Sequence, residues 1–180
     1  MKTILALGAL AALSTFAFAD APEVPTDAPY IVLSDNLDEP NGFGFCIDTY
    51  GAGQTDLMHT HTCKPQDPDQ PNDSMGNDTR FMYNVETGQI ASYTFEGFCM
   101  QALIATDLTV FAMLECSDHP RQQFVYDEND MTLHLAEDSE RCVSVVSETV
   151  PAGPWVKRPL VLETCEEVDA SLKQWTVVQE

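Results

Sequence analysis

The sequence predicts an all-β protein built from one supersecondary unit used three times. Three observations predict it. The cysteines fall into sequential pairs with repeating spacing and neighbours, short strand-like runs recur at matching places around each pair, and no segment carries a convincing helical period. The unit reads strand, cysteine strand, second cysteine strand, aromatic strand, so three copies give about twelve short strands, with Gly, Pro, Asn and Asp between them.

Before the first repeat, Met1-Lys2 is followed by an uncharged, mostly apolar run over residues 3–16 and by Ala17-Phe18-Ala19 ahead of Asp20. That pattern predicts a secretory signal peptide over residues 1–19, cleaved after Ala19. The run is too short to span a bilayer comfortably and no later segment offers another candidate, so no membrane insertion is expected. Residues 20–29 contain Pro22, Pro25 and Pro29 without an apolar pattern, and read as a short extended linker. Residues 30–180 then form one domain of a length that suits a sizeable core.

Six cysteines in an exported chain imply oxidation, and no Cys-x-x-Cys pair points to zinc or redox work. Spacing selects among the fifteen possible pairings. Cys46 and Cys63 lie 17 apart, Cys99 and Cys116 again 17 apart, and Cys142 and Cys165 23 apart. Gly44-Phe45-Cys46-Ile47 matches Gly97-Phe98-Cys99-Met100, with Arg141-Cys142-Val143 as a weaker third copy. The predicted bridges are therefore Cys46–Cys63, Cys99–Cys116 and Cys142–Cys165, one per repeat, each worth roughly 3 kcal/mol in the chain-entropy model. Strand-like runs at 30–33, 89–93 and 131–135 precede the first cysteine of each pair, and aromatic runs at 80–83, 122–126 and 174–178 follow the second. The repeats span about 30–85, 86–128 and 129–180. Pairing the first strand with the last closes the structure and removes an exposed edge.

A formal charge of −21, one unit more negative without Lys2, repels nucleic acids, heparin-like chains and anionic headgroups. Neutral and cationic partners remain.

The three Cys-to-Cys repeats and degenerate Q-x-W positions resemble the ricin-B-type β-trefoil lectins over about residues 30–180. The best copies of that motif are Gln122-Gln123-Phe124 and Lys173-Gln174-Trp175, with Thr79-Arg80-Phe81 the weakest. The resemblance implies that these aromatics are structural, one per repeat packing into a shared core. It also implies a sugar site built from an Asp two residues after the first cysteine, an aromatic platform two before the second, a polar residue two before that, and an Asn just ahead of the Q-x-W position. A carboxylate accepts from vicinal hydroxyls, a ring stacks on the apolar face of the sugar, and an amide fixes orientation.

The first repeat fills this pattern best, with Asp48, His61 as platform, His59 as polar residue, Asp78 in place of the Asn and Asn77 beside it. Histidine offers less face than tryptophan, so the expected affinity is about millimolar for a monosaccharide, roughly −4 kcal/mol. Binding is expected to fall below about pH 5, where Asp48 begins to protonate and both imidazoles are cationic. Gln101, Leu114 and Ala112 in the second repeat, and Ser144, Glu163 and Val161 in the third, depart too far to hold a sugar in the same manner.

The expected function is that of a secreted or periplasmic lectin-like module with a glycan or glycoconjugate partner and no cofactor. The alternative is a protein-interaction or protease-inhibitor module using a long loop at 66–78 or 149–159, with Trp155 as an interface anchor or as a cover for the core. Asp48, His59 and His61 alternatively read as three metal ligands, although no fourth is evident. The loop at 66–78 is rich in oxygen donors for calcium but fits no EF-hand spacing, and its prolines predict an exposed, mobile stretch. Asn72 and Asn77 open acceptor sequons. No nucleophile or acid–base motif supports catalysis.

Overall fold

The structure is a computed structural model that describes residues 20–49, 57–65, 77–105 and 108–179. Its strands are β1 (Tyr30–Leu33), β2 (Phe45–Thr49), β3 (Met58–Thr62), β4 (Phe81–Tyr83), β5 (Ile90–Ser92), β6 (Phe98–Ala105), β7 (Leu108–Glu115), β8 (Phe124–Asp127), β9 (Thr132–Leu135), β10 (Asp138–Val145), β11 (Val150–Ala152), β12 (Trp155–Thr164) and β13 (Trp175–Val178). All but β11 fall at the expected places, four to a repeat. The run at 131–135 starts one residue late because Met131 adopts a positive φ of 59°, a conformation a bulky residue takes only at a turn.

Each repeat contributes one antiparallel hairpin, β2–β3, β6–β7 or β10–β12. The aromatic strand of each repeat pairs with the first strand of the next, as β4–β5, β8–β9 and β13–β1. The last of these joins the chain ends, with Tyr30 opposite Val178 and Leu33 opposite Trp175. The hairpins meet one another through Met58 with Phe111 and Thr60 with Arg158. This is a β-trefoil, and the three disulfides pair as the spacing predicts.

The repeated Gly-Phe-Cys has a physical reason. Gly44 and Gly97 take φ of +79° and +84°, which only glycine adopts cheaply. Their carbonyls accept from the N–H of Cys63 at 3.0 Å and of Cys116 at 2.9 Å, which brings the two cysteines of each pair together. In the core, Phe81, Phe124 and Trp175 are fully buried, while the next residues on those strands, Met82, Val125 and Thr176, face outward. Strand alternation thus aims one aromatic per repeat at a common centre. Trp175 keeps its indole satisfied by donating from Nε1 to the Val143 carbonyl at 2.9 Å.

Two expectations need correction. Residues 20–29 are irregular but packed against the domain: Glu23 N–H donates to Gly42 O at 2.7 Å, Thr26 Oγ1 to Lys64 O at 2.9 Å, and Arg80 to Ala28 O. Val24 adds apolar contact with the cluster of Val32, Cys46 and Cys63, so the segment is a strap rather than a linker. The stretch at 149–159 is largely a hairpin instead of a loop. Ala152 pairs with Trp155 across a turn at Gly153, whose φ is +66°, and Lys157 to Pro159 then pair with β3.

Candidate functional site

The three hairpins share one register, which sets the geometry of the candidate site. The first cysteine of each repeat faces the platform position: Cys46 faces His61, Cys99 faces Leu114 and Cys142 faces Glu163. The carboxylate position faces the polar one, pairing Asp48 with His59, Gln101 with Ala112 and Ser144 with Val161. Directly opposite residues in an antiparallel pair stand within reach of each other. Asp48, His59 and His61 therefore share one face of β2–β3, and the two imidazole centroids lie 6.1 Å apart.

A residue that sequence reasoning missed organises this face. Lys64, immediately after Cys63, places Nζ 3.0 Å from Asp48 Oδ2 and 2.6 Å from Asp78 Oδ1. Asp48 and Asp78 are 1% and 3% exposed. The second carboxylate oxygen of Asp48 accepts from the Thr49 N–H at 2.6 Å. The signal lay in the alignment of repeats. Lys64 is matched by Ser117 and Glu166, and Asp78 by Arg121 and Leu172, so the first repeat alone offers a cation followed by an acid.

The electrostatics follow from burial. Desolvation pushes Asp48 above the usual carboxylate range, against the pull of Lys64. Burial, reinforced by the neighbouring Asp48 charge, pushes Asp78 up to about 8. Burial alone would lower Lys64, but the two carboxylates outweigh it and hold the ammonium above the ordinary lysine range. Desolvation lowers His59 to about 3, and burial lowers His61 as well, despite its Nδ1 donating to Thr62 O at 3.0 Å. The expectation of two cationic imidazoles at about pH 5 is therefore corrected for His59, which stays neutral there.

The predicted site residues are thus brought together, but as a buried group rather than an open platform. His59 and His61 are buried, and so are Asn77 and Asp78, contrary to an exposed loop end. Residues 66–76, with the calcium reading and Asn72, lie outside the described residues. Asn77 is a poor sequon acceptor in the folded chain because it is buried. Among the described residues, the one group of three potential metal ligands is His134 with Cys142 and Cys165, whose sulfurs are spent in a disulfide. Asp48, His59 and His61 do not converge as a three-ligand set.

In the second repeat, Gln101 Oε1 accepts from Gln122 Nε2 at 3.0 Å, and Gln122 also donates to Glu115 O at 2.9 Å. In the third, Ser144 is fully buried and Lys173 donates to Cys165 O. Both positions serve the scaffold. Trp155 is half-buried with its ring 6.3 Å from that of Phe43, which itself packs against the small cluster around Cys46–Cys63.

Several solved structures share this fold. A non-toxic homologue of type II ribosome-inactivating proteins from Momordica charantia (bitter gourd), in complex with α-methyl-D-galactoside, superposes with a TM-score of 0.56 at 12% identity, over 83% of this chain and 46% of that one. The chain thus spans under half of that protein. The β-trefoil lectin of the Vibrio vulnificus hemolysin/cytolysin, with N-acetyl-D-lactosamine bound, gives 0.54 at 11% identity, over 84% and 94%. The C-terminal domain of an earthworm lectin, a mutant in complex with 6'-sialyllactose, gives 0.54 at 12% identity, over 85% and 100%. At such identities the likeness is one of fold. No protein-family model matches the chain, and no curated protein matches it significantly.

Proposed function

We propose that the protein is an exported carbohydrate-binding module whose sugar site lies in the first repeat and is centred on Asp48. The observation that carries this reading is the juxtaposition of Asp48 with His59 and His61 on one hairpin face, beside Asp78. The equivalent face of the second repeat carries Leu114 and Ala112, and that of the third Glu163 and Val161. The sugar-bound trefoils named above support the class of ligand, and three disulfides fit an oxidising compartment. In this reading the leader over residues 1–19 is removed and the strap at 20–29 begins the mature chain.

Lys64 shapes how such a site works. Its ammonium occupies Asp48 Oδ2, so a sugar hydroxyl must share or displace that contact, and affinity stays low. Neutral imidazoles suit stacking and hydrogen bonding to an uncharged sugar. A glycan array run beside a protease panel tests the reading: glycan signal with no protease inhibition is expected. Inhibition without glycan binding would move the function to the hairpin of β11 and β12, where Val150 is exposed.

A further inference from the structure

The Asp48–Lys64–Asp78 cluster has a chemistry of its own. An amine stands within 3.0 Å of two buried carboxyls, 2.6 Å from one and 3.0 Å from the other. The Thr49 N–H fixes one oxygen of Asp48 at 2.6 Å, which turns the other toward Lys64. The strap holds the Lys64 backbone through Thr26 Oγ1, 2.9 Å from its carbonyl. A nucleophile, an acyl acceptor and a proton carrier are thus held together where little water enters. Proximity of this kind replaces a bimolecular encounter and favours condensation over hydrolysis.

We propose that Lys64 Nζ and Asp78 Cγ condense to an intramolecular isopeptide bond, with Asp48 carrying the protons. The starting state is an ammonium on Lys64, a carboxylate on Asp48 and a neutral acid on Asp78, in keeping with the raised affinity of Asp78 for its proton. Lys64 passes one proton to Asp48 across their 3.0 Å contact, against the hold of the two carboxyls on its ammonium. The freed lone pair attacks Asp78 Cγ and forms the C–N bond. Asp48 relays a proton from nitrogen to the departing hydroxyl, the C–O bond breaks, and one water leaves. The product is an amide, with the last proton on Asp48 until solvent takes it. No oxidant, reductant or other co-reactant is needed.

The bond would close the stretch between Cys63 and β4, beside the first disulfide. It goes beyond the sugar reading and does not depend on it, since the test contains no glycan. Intact mass spectrometry of the oxidised mature protein should find it lighter by one water than three disulfides account for. After reduction and cyanogen bromide cleavage, fragments 59–75 and 76–82 should remain joined, because Lys64 lies in the first and Asp78 in the second. Lys64→Arg keeps a cation beside both carboxyls but cannot form the amide, and should lose no water. A wild-type mass explained by the disulfides alone overturns the proposal, as does a lost water with the two fragments separate.

Discussion

Lys64 concentrates the energetics of the first repeat, since it is the cation that two buried carboxyls share. Removing one partner of a buried charge group leaves the others uncompensated, so Lys64→Met should destabilise the fold by about 3–5 kcal/mol near neutral pH relative to the ion-paired protein, in which Lys64 and Asp78 have not condensed. Carboxyls whose folded pKa lies above the unfolded value bind more protons when folded, and stability then falls as pH rises. The cost of Lys64→Met should accordingly be smallest near about pH 5 and largest above about pH 8, as chemical denaturation at both values would measure. A pH-independent cost would contradict the buried-charge account. His59 works in the opposite sense. Its folded pKa of about 3 lies below the ordinary 6.5, so the unfolded chain binds more protons between those values and stability falls on acidification through that window. His59→Gln should lose less melting temperature than wild type between about pH 6.5 and pH 4. An unchanged acid slope would mean that His59 is not the group responsible.

At the scale of elements, the strap and the hairpins are coupled through Gly44. A Cβ at Gly97 meets nothing within 4 Å, whereas one at Gly44 lands 2.5 Å from Pro22 Cβ. Both positions have positive φ, so Gly97→Ala should cost the conformational term alone, roughly 1–2 kcal/mol. Gly44→Ala should cost more, because it also pushes against the strap. Deleting residues 20–28 should shrink the excess cost of Gly44→Ala in thermal melts, leaving only the tighter contact with Val32 Cγ2 at 3.2 Å. If Gly44→Ala and Gly97→Ala cost the same in the full chain, the strap is not packed as described. The hairpin of β11 and β12 is a further element, added to the third repeat without disturbing its register with β3.

For the whole molecule, closure of β1 on β13 and the triad of Phe81, Phe124 and Trp175 make the three repeats one cooperative unit. Trp175→Ala removes a core aromatic and its hydrogen bond to Val143, and should cost about 3–5 kcal/mol in a single unfolding transition. Two separate transitions would contradict a shared core. Much of this architecture was legible in the sequence because it repeats: Gly44 with Gly97 announces one backbone need twice, and the paired cysteines and the aromatics Phe81, Phe124 and Trp175 each recur in all three repeats. The strap was not legible, since its contacts are backbone hydrogen bonds from Glu23 and a hydroxyl from Thr26, which leave no periodic trace. Neither was the burial of Asp48 and Asp78. Polar residues near prolines read as solvated, and only the fold brings Lys64 between them. The register placed His59 and His61 correctly on one face with Asp48, but burial, which pairing patterns do not encode, sets their charge.

The central claim, a sugar site on Asp48, is tested most directly by titration calorimetry of wild type, Asp48→Asn and Gln101→Ala against a glycan selected on the array. Asp48→Asn keeps the shape but removes a charged acceptor, so the account predicts a loss of about 1.5–3 kcal/mol, roughly ten- to a hundredfold in affinity, with Gln101→Ala unchanged. Glycan binding that survives Asp48→Asn at wild-type affinity would contradict it.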